Sequence, residues 1–255
     1  MAVILYGYGN HLGNFGVFAS SLAQTLRERY GRDGVLVKEV VRRDAFFSYL
    51  ASPPLRPGDQ IAELHVFAHS IGGGIFIAYG DLAVANRRDE AFERARRAGR
   101  RISYQEVLDT EVGAILSEDF FRSPYEQMGG AVRSHMVADA FVKLWGCNSG
   151  VTHWVYSDGR HGHEVTRASD TSVPYYWRAL NERNVPKPAV AQAFAAYFGR
   201  VCYGATSGSH VEVLSRGHWE STGRYRAETG LWPSGAMIHR LQPDRGDYRA
   251  FHPIR

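Results

Sequence analysis

Leu64-His65-Val66-Phe67-Ala68-His69-Ser70-Ile71-Gly72-Gly73-Gly74-Ile75-Phe76-Ile77-Ala78-Tyr79 is the stretch whose reading decides the fold. Its first five residues are a run of strand length, apolar except for His65. His69 and Ser70 form a polar tip, three glycines follow, and the next five residues are β-branched or aromatic apart from Ala78. A helix after the tip is disfavoured, because each glycine in a helix interior costs ~1 kcal/mol relative to alanine. The stretch therefore predicts a strand ending in a turn and a second, short strand, not a strand running into a helix.

Working outward toward the N-terminus, residues 2–7 are an apolar strand candidate, followed by the loop Gly7-Tyr8-Gly9-Asn10-His11-Leu12-Gly13-Asn14. Phe18, Leu22 and Leu26 recur on one helix face. Arg27 and Arg29 sit in the last turn and Gly31 stops the helix, as a C-terminus prefers. Val35 to Val41 is a second strand, and Phe46 to Leu50 a short apolar stretch before Pro53-Pro54. Toward the C-terminus, residues 84–110 read as a polar helix, with Ser103-Tyr104-Gln105-Glu106 as a cap before a further turn. Phe141 to Trp145 is another buried strand, and residues 151–185 read as a long loop region. Val190, Phe194, Tyr197 and Phe198 mark a helix opened by Pro188 and closed by Gly199. Val201 to Ala205 is the next strand; the tail from about 220 follows no readable period. Repeated strand–helix–strand units at this spacing predict an α/β fold, a mostly parallel sheet with helices on both faces.

Composition agrees. The chain has 255 residues, 44% hydrophobic and 22% charged, which is ordinary globular usage and excludes a disordered or fibrous protein. Two cysteines, Cys147 and Cys202, exclude a disulfide scaffold. No apolar run approaches the ~18–20 residues a membrane span requires. Met1 to Tyr6 lacks a basic leader and reads as a strand, so the expected location is the cytoplasm, or outside by a route without a cleavable leader. The net charge is only +4. The densest basic cluster, Arg87 to Arg101, is interleaved with Asp89, Glu90 and Glu93, the pattern of a solvated helix. A nucleic-acid partner, which would want a one-signed stripe with stacking aromatics, is not expected.

Three strand ends carry the candidate chemistry: Ala68-His69-Ser70-Ile71-Gly72-Gly73, Leu144-Trp145-Gly146-Cys147-Asn148-Ser149-Gly150, and Gly204-Ala205-Thr206-Ser207-Gly208-Ser209-His210. In a parallel sheet the carboxyl ends share one edge, where ligands bind. His69, Cys147 and the Ser207–His210 loop are thus expected on one rim. A thiol becomes a nucleophile beside a base, usually an imidazole, and a strand tip followed by glycine offers backbone N–H groups to an oxyanion. Cys202, between Val201 and Tyr203, reads as a small buried apolar residue without chemistry.

In their order and spacing, His69 through Ile77, Gly146-Cys147-Asn148-Ser149-Gly150, and Gln192-Ala193-Phe194 through Ser207 resemble the caspase-like cysteine peptidases. That superfamily includes caspases, gingipains, separases and the self-processing protease domains of large bacterial toxins. The similarity spans roughly residues 2–210. It implies a caspase-like three-layer fold in one domain over 1–255, with a core of about 1–215 and an extension over 216–255. It implies cleavage of peptide bonds in a protein or peptide substrate, with Cys147 as nucleophile, His69 as acid/base, and no cofactor. Ser70, Gly146 and Ser207 would line the oxyanion and substrate site. Two positions depart from the pattern. Ser70 stands where the family usually has glycine. Trp145 stands where plant and fungal relatives carry an acid, so a preference for Arg or Lys through that acid is not implied.

Two other readings share these residues. Ala68-His69-Ser70-Ile71-Gly72 fits the nucleophile elbow of α/β-hydrolases, making Ser70 the nucleophile of an esterase or lipase, with Asp158, Asp170, His210 and His218 as partner candidates. The elbow requires strand–turn–helix, which the three glycines oppose. A catalytically dead caspase-like interaction module predicts no reactivity at Cys147. Weaker still are His161-Gly162-His163-Glu164 as a metal site, with no third ligand indicated, and Gly7 to Gly13 as a phosphate loop, whose spacing misses G-x-G-x-x-G.

Overall fold

The computed structural model describes residues 1–8, 15–71, 73–78, 81–100, 106, 112–146, 149–150, 189–205, 210–213, 219–222 and 248–254. Its centre is a six-stranded sheet. The strands are β1 (Ala2–Tyr6), β2 (Val35–Glu39), β3 (Ile61–Phe67), β7 (Met136–Leu144), β8 (Val201–Ala205) and β11 (Tyr248–Phe251), in the spatial order β11-β8-β7-β3-β1-β2. β1 pairs in parallel with β2 and β3, β3 with β7, and β7 with β8; β11 lies antiparallel on β8. The expected α/β class and mostly parallel sheet are therefore present. A second sheet, β4-β5-β6, is formed by β4 (His69–Ile71), β5 (Gly74–Phe76) and β6 (Ala114–Leu116), all antiparallel. β9 (His210–Val213) and β10 (Trp219–Thr222) make a separate antiparallel pair.

The helices are α1 (Phe15–Tyr30), α2 (Arg43–Ala51), α3 (Leu82–Arg97), α4 (Tyr125–Ser134) and α5 (Val190–Phe198). Side chains alternate across a strand, so each strand feeds two cores. Val3 and Leu5, Leu64 and Val66, and Val142 and Leu144 join Phe46, Phe47 and Leu50 of α2, Tyr125 and Val132 of α4, and Phe194 and Phe198 of α5. Ala2 and Ile4, Phe67 and Trp145 instead join Phe15, Phe18, Leu22 and Leu26 of α1. The handedness of parallel crossovers accounts for this division. The chain moves outward from β1 to β2, then reverses through β3, β7 and β8, so α1 covers one face and the later helices the other.

Three segments differ from their sequence reading. Phe46 to Leu50 belongs to a helix, α2, because both phenylalanines and Leu50 reach the core. The helix α4 has no counterpart in the reading, since Gly129 and Gly130 break its pattern; tertiary contacts hold it, with Tyr125 and Val132 buried and Tyr197 Oη donating to the Tyr125 carbonyl. The tail supplies β11, whose Tyr248 and Phe251 are buried on opposite faces. Residues 151–185 and Ser103 to Gln105 lie outside the described residues. Among the described residues, no helix is long and apolar enough to cross a membrane.

Candidate functional site

The sheet reverses its winding between β1 and β3, and ligands of open α/β sheets bind at the carboxyl ends beside such a switch. There the β1 exit is tied to the β3 exit and to the small sheet: Gly7 N–H donates to the Phe67 carbonyl at 2.8 Å and Tyr8 N–H to the Ile77 carbonyl at 2.7 Å. His69 opens β4 directly beyond β3, with Ala68 as the bend between them. The Phe15 ring, at the start of α1, meets the His69 imidazole edge-on with centroids 5.0 Å apart. Burial alone drives the His69 pKa down to about 4. At neutral pH the imidazole is therefore uncharged and able to accept a proton.

The β7 exit lies against this tip. A Cβ added to Gly146 would stand 2.4 Å from Ser70 Cβ and 2.6 Å from the Ala68 carbonyl oxygen. Only glycine permits the two exits to approach this closely. Ser149 and Gly150 are held by bonds of their own. Ser149 Oγ donates to the Gly146 carbonyl at 2.9 Å and accepts from Ala205 N–H at 3.0 Å. Gly150 N–H donates to the Ala205 carbonyl at 2.7 Å, and Ala191 N–H, in the first turn of α5, donates to the Ser149 carbonyl at 3.0 Å. Gly146, Ser149 and Gly150 thus tie the β7 exit to the exits of β3 and β8 and to the first turn of α5.

Of the expected site residues, His69, Ser70 and Gly146 come together on one rim. Cys147, Asn148 and Ser207 lie outside the described residues, as do His161, His163, Glu164, Asp158, Asp170 and His218. Ser70 is buried and its hydroxyl donates to the Gly74 carbonyl at 2.9 Å. It sits in the β4–β5 hairpin, which continues as strand; the strand–turn–helix that a serine elbow needs is not formed here. Cys202 is fully buried, and burial pushes its thiol well above the ordinary value, as expected of a residue without chemistry.

The sequence reading missed the groups beneath the rim, on the α1 face of the sheet. Glu63 accepts from the Tyr30 hydroxyl at 2.7 Å and from Arg29 Nη1 at 2.5 Å. It also meets His65 Nε2 at 3.0 Å. Burial pushes the Glu63 carboxyl up, but these partners outweigh it and hold it below the ordinary value. Trp145 Nε1–H donates to His65 Nδ1 at 3.3 Å. Lys143 is buried with its ammonium 3.8 Å from the Trp145 ring centroid and 4.1 Å from that of Tyr248. The available signal was the alternation of Glu63, His65 and Phe67, and of Lys143 and Trp145, which puts polar residues on one face of two neighbouring strands.

Compared with known proteins, the chain matches no family model, no curated protein and no solved structure. What stands is the class the fold defines: an α/β protein with a mostly parallel six-stranded sheet and a glycine-lined rim at the exits of β3, β7 and β8.

Proposed function

We propose that the chain is a cysteine endopeptidase of caspase-like architecture, with Cys147 as nucleophile and His69 as acid/base. One observation carries this reading: the exits of the neighbouring strands β3 and β7 touch, through Gly146 against Ala68 and Ser70, so the residue before Cys147 lies against both chain neighbours of His69. The antiparallel β4–β5 hairpin that begins at His69 supports the resemblance to that superfamily. In the reaction, the Cys147 thiol gives its proton to the neutral His69 imidazole while sulfur attacks the peptide carbonyl. Backbone N–H groups at the strand tips hold the developing oxyanion. The tetrahedral intermediate collapses, His69 returns the proton to the leaving amine, and water then cleaves the thioester with His69 acting as base.

The test is a cleavage profile on a proteome-derived peptide library with wild type, Cys147→Ala and Ser70→Ala. Cys147→Ala should abolish cleavage, a loss of about 10⁴-fold or more. Ser70→Ala should retain activity within about tenfold, because its hydroxyl serves the hairpin. A dead Ser70→Ala protein, with fluorophosphonate labelling of Ser70 in the wild type, would replace this reading by the serine one. A wild type with no cleavage and no enhanced Cys147 reactivity would favour the interaction module.

A further inference from the structure

A run of aromatic rings leads from the core of the sheet to His69. Phe67 ends β3, and His69 stands two positions on, past the bend at Ala68. Phe15 and Phe18 are three positions apart at the start of α1, so they share one face of the helix. The Phe18 ring is centred 6.2 Å from that of Phe67, and the Phe15 ring 6.5 Å from that of Phe18. The Phe15 ring then meets the imidazole at 5.0 Å, with 71° between the planes. Phe67 is held in turn by its parallel stack on Trp145, 5.2 Å away. All three phenylalanines are buried in the core beneath α1. His69 itself is partly exposed, with its Nε2 closed off from solvent. The imidazole therefore has one part at the surface and another against an apolar ring that the helix holds in place.

We propose that Phe15 is a positioning residue for His69: its ring, backed by Phe18 and Phe67, packs the imidazole into place and keeps water from it, so that the start of α1 sets the proton chemistry of the rim. The use of His69 as acid/base rests on the cysteine peptidase reading; the contact with Phe15 does not. The described elements around His69 bring it uncharged neighbours: Phe15 from α1, Phe76 opposite it on β5, and Gly146 from the β7 exit beside Ser70. Tyr8, whose N–H is tied to the carbonyl of Ile77 just beyond Phe76, is the titratable residue of the β1 exit. Burial costs the imidazolium its hydration and holds the His69 pKa at about 4. A phenyl face attracts cations only modestly, so the drying effect of Phe15 outweighs any pull of its ring on the charged form. An imidazole kept dry remains a proton acceptor in mildly acidic surroundings, where an ordinary histidine is already charged. The rim thus keeps its base as pH falls.

The experiment follows the His69 ring by NMR from pH 8 down to about pH 3.5, with the resonance assigned by its loss in His69→Gln. Wild type should titrate at about 4. In Phe15→Ala the midpoint should rise by about one pH unit or more, because water then reaches the ring. Phe15→Val, the milder truncation, should move it the same way by about half as much, and decides the matter if Phe15→Ala does not fold. Leu22→Ala damages the same core two turns along α1. It should lower the melting temperature and leave the midpoint where it is. Folded Phe15 variants that titrate with wild type would show a packing role and nothing more, and overturn the proposal. A midpoint that falls, the mark of a π face attracting the charged ring, also overturns it, as does a Leu22→Ala protein that shifts as far as Phe15→Ala. So does a wild type that titrates at the ordinary histidine value. The acid limb of kcat/KM for peptide cleavage should follow the NMR midpoint from protein to protein. Cleavage whose acid limb ignores that midpoint removes His69 from the reaction and overturns the proposal with it. A wild type that cleaves no peptide sinks the peptidase reading alone, and the NMR midpoints still decide the role of Phe15.

Discussion

The two faces of the central sheet are held by different physics. Toward α2, α4 and α5 the strands present apolar side chains, and the buried charge on that side, Arg43 of α2 paired with Asp119, lies off the sheet. Phe120 is typical of the packing: fully buried, with the rings of Phe47, Phe194 and Tyr197 centred 5.3, 4.7 and 5.0 Å away. Toward α1 the same strands bury Glu63, His65 and Lys143, which are tolerated only because each has a directed partner. Area burial is forgiving in geometry; paired polar groups are not. The rim continues the second face, since His69 packs on Phe15 of α1 and Gly146 follows Trp145. The apolar face therefore supplies stability, and the polar face fixes where the strand exits stand.

Damage to the apolar face should have the largest effect on stability. Phe120→Ala should lower the unfolding free energy by about 3–5 kcal/mol, read as a fall in the urea midpoint at unchanged slope. A loss under about 1 kcal/mol would mean that the aromatic cluster is not tightly packed.

His69 should reveal itself through pH. Its folded pKa, about 4, lies below the ordinary histidine value. The unfolded chain therefore binds the proton first. Stability from this residue is present above pH ~6.5 and is lost as pH falls from there toward the folded value. A displacement of this size corresponds to ~3 kcal/mol. Urea midpoints between pH 7 and pH 4 should fall less steeply in His69→Phe than in wild type. Parallel curves would show that the buried imidazole is not the group titrating.

At the junction of the two faces, Gly146→Ala should cost ~1–3 kcal/mol, because the new methyl group meets the Ala68 backbone and not a flexible side-chain end. Thermal unfolding would measure the loss. A neutral substitution would contradict the contact between the β3 and β7 exits.

The smallest effect belongs to the polar face. Glu63→Gln should cost ~1–2 kcal/mol at neutral pH by weakening its bonds with Arg29, Tyr30 and His65. The depressed carboxyl of Glu63 stabilises the fold above the ordinary carboxylate range and ceases to do so as pH falls through its folded value. The difference between Glu63→Gln and wild type should shrink over the same interval. A gap that stays constant down to pH 3 would mean that the carboxylate charge is not what the network uses.

Much of the framework was legible in the sequence because its causes are local. Phe18, Leu22 and Leu26 repeat on one helix face, Val35 onward and Leu64 onward have strand composition, and Gly72 to Gly74 turn the chain after His69 wherever it folds. The rim followed from a general property of parallel sheets, applied to strand ends that carry glycine and polar residues. Cys202 was equally readable from its two apolar neighbours.

Tertiary structure decided the rest, and in each case the cause is distant in sequence. β11 is a four-residue strand whose register is set by β8, with Tyr248 opposite Ala205, so no local period marks it. The helix α4 survives two successive glycines because Tyr125 and Val132 find a core built by α2 and α5. His65 and Lys143 look like interruptions in apolar strands until β3 and β7 pair and set His65 beside Lys143. By itself the sequence determined which segments become strands and helices and which residue types end them, since those choices depend on neighbours a few positions away. Only the fold decided that Trp145 would reach His65 across 80 positions, because such a bond forms after chain closure has already been met by the hydrophobic pairing of the strands.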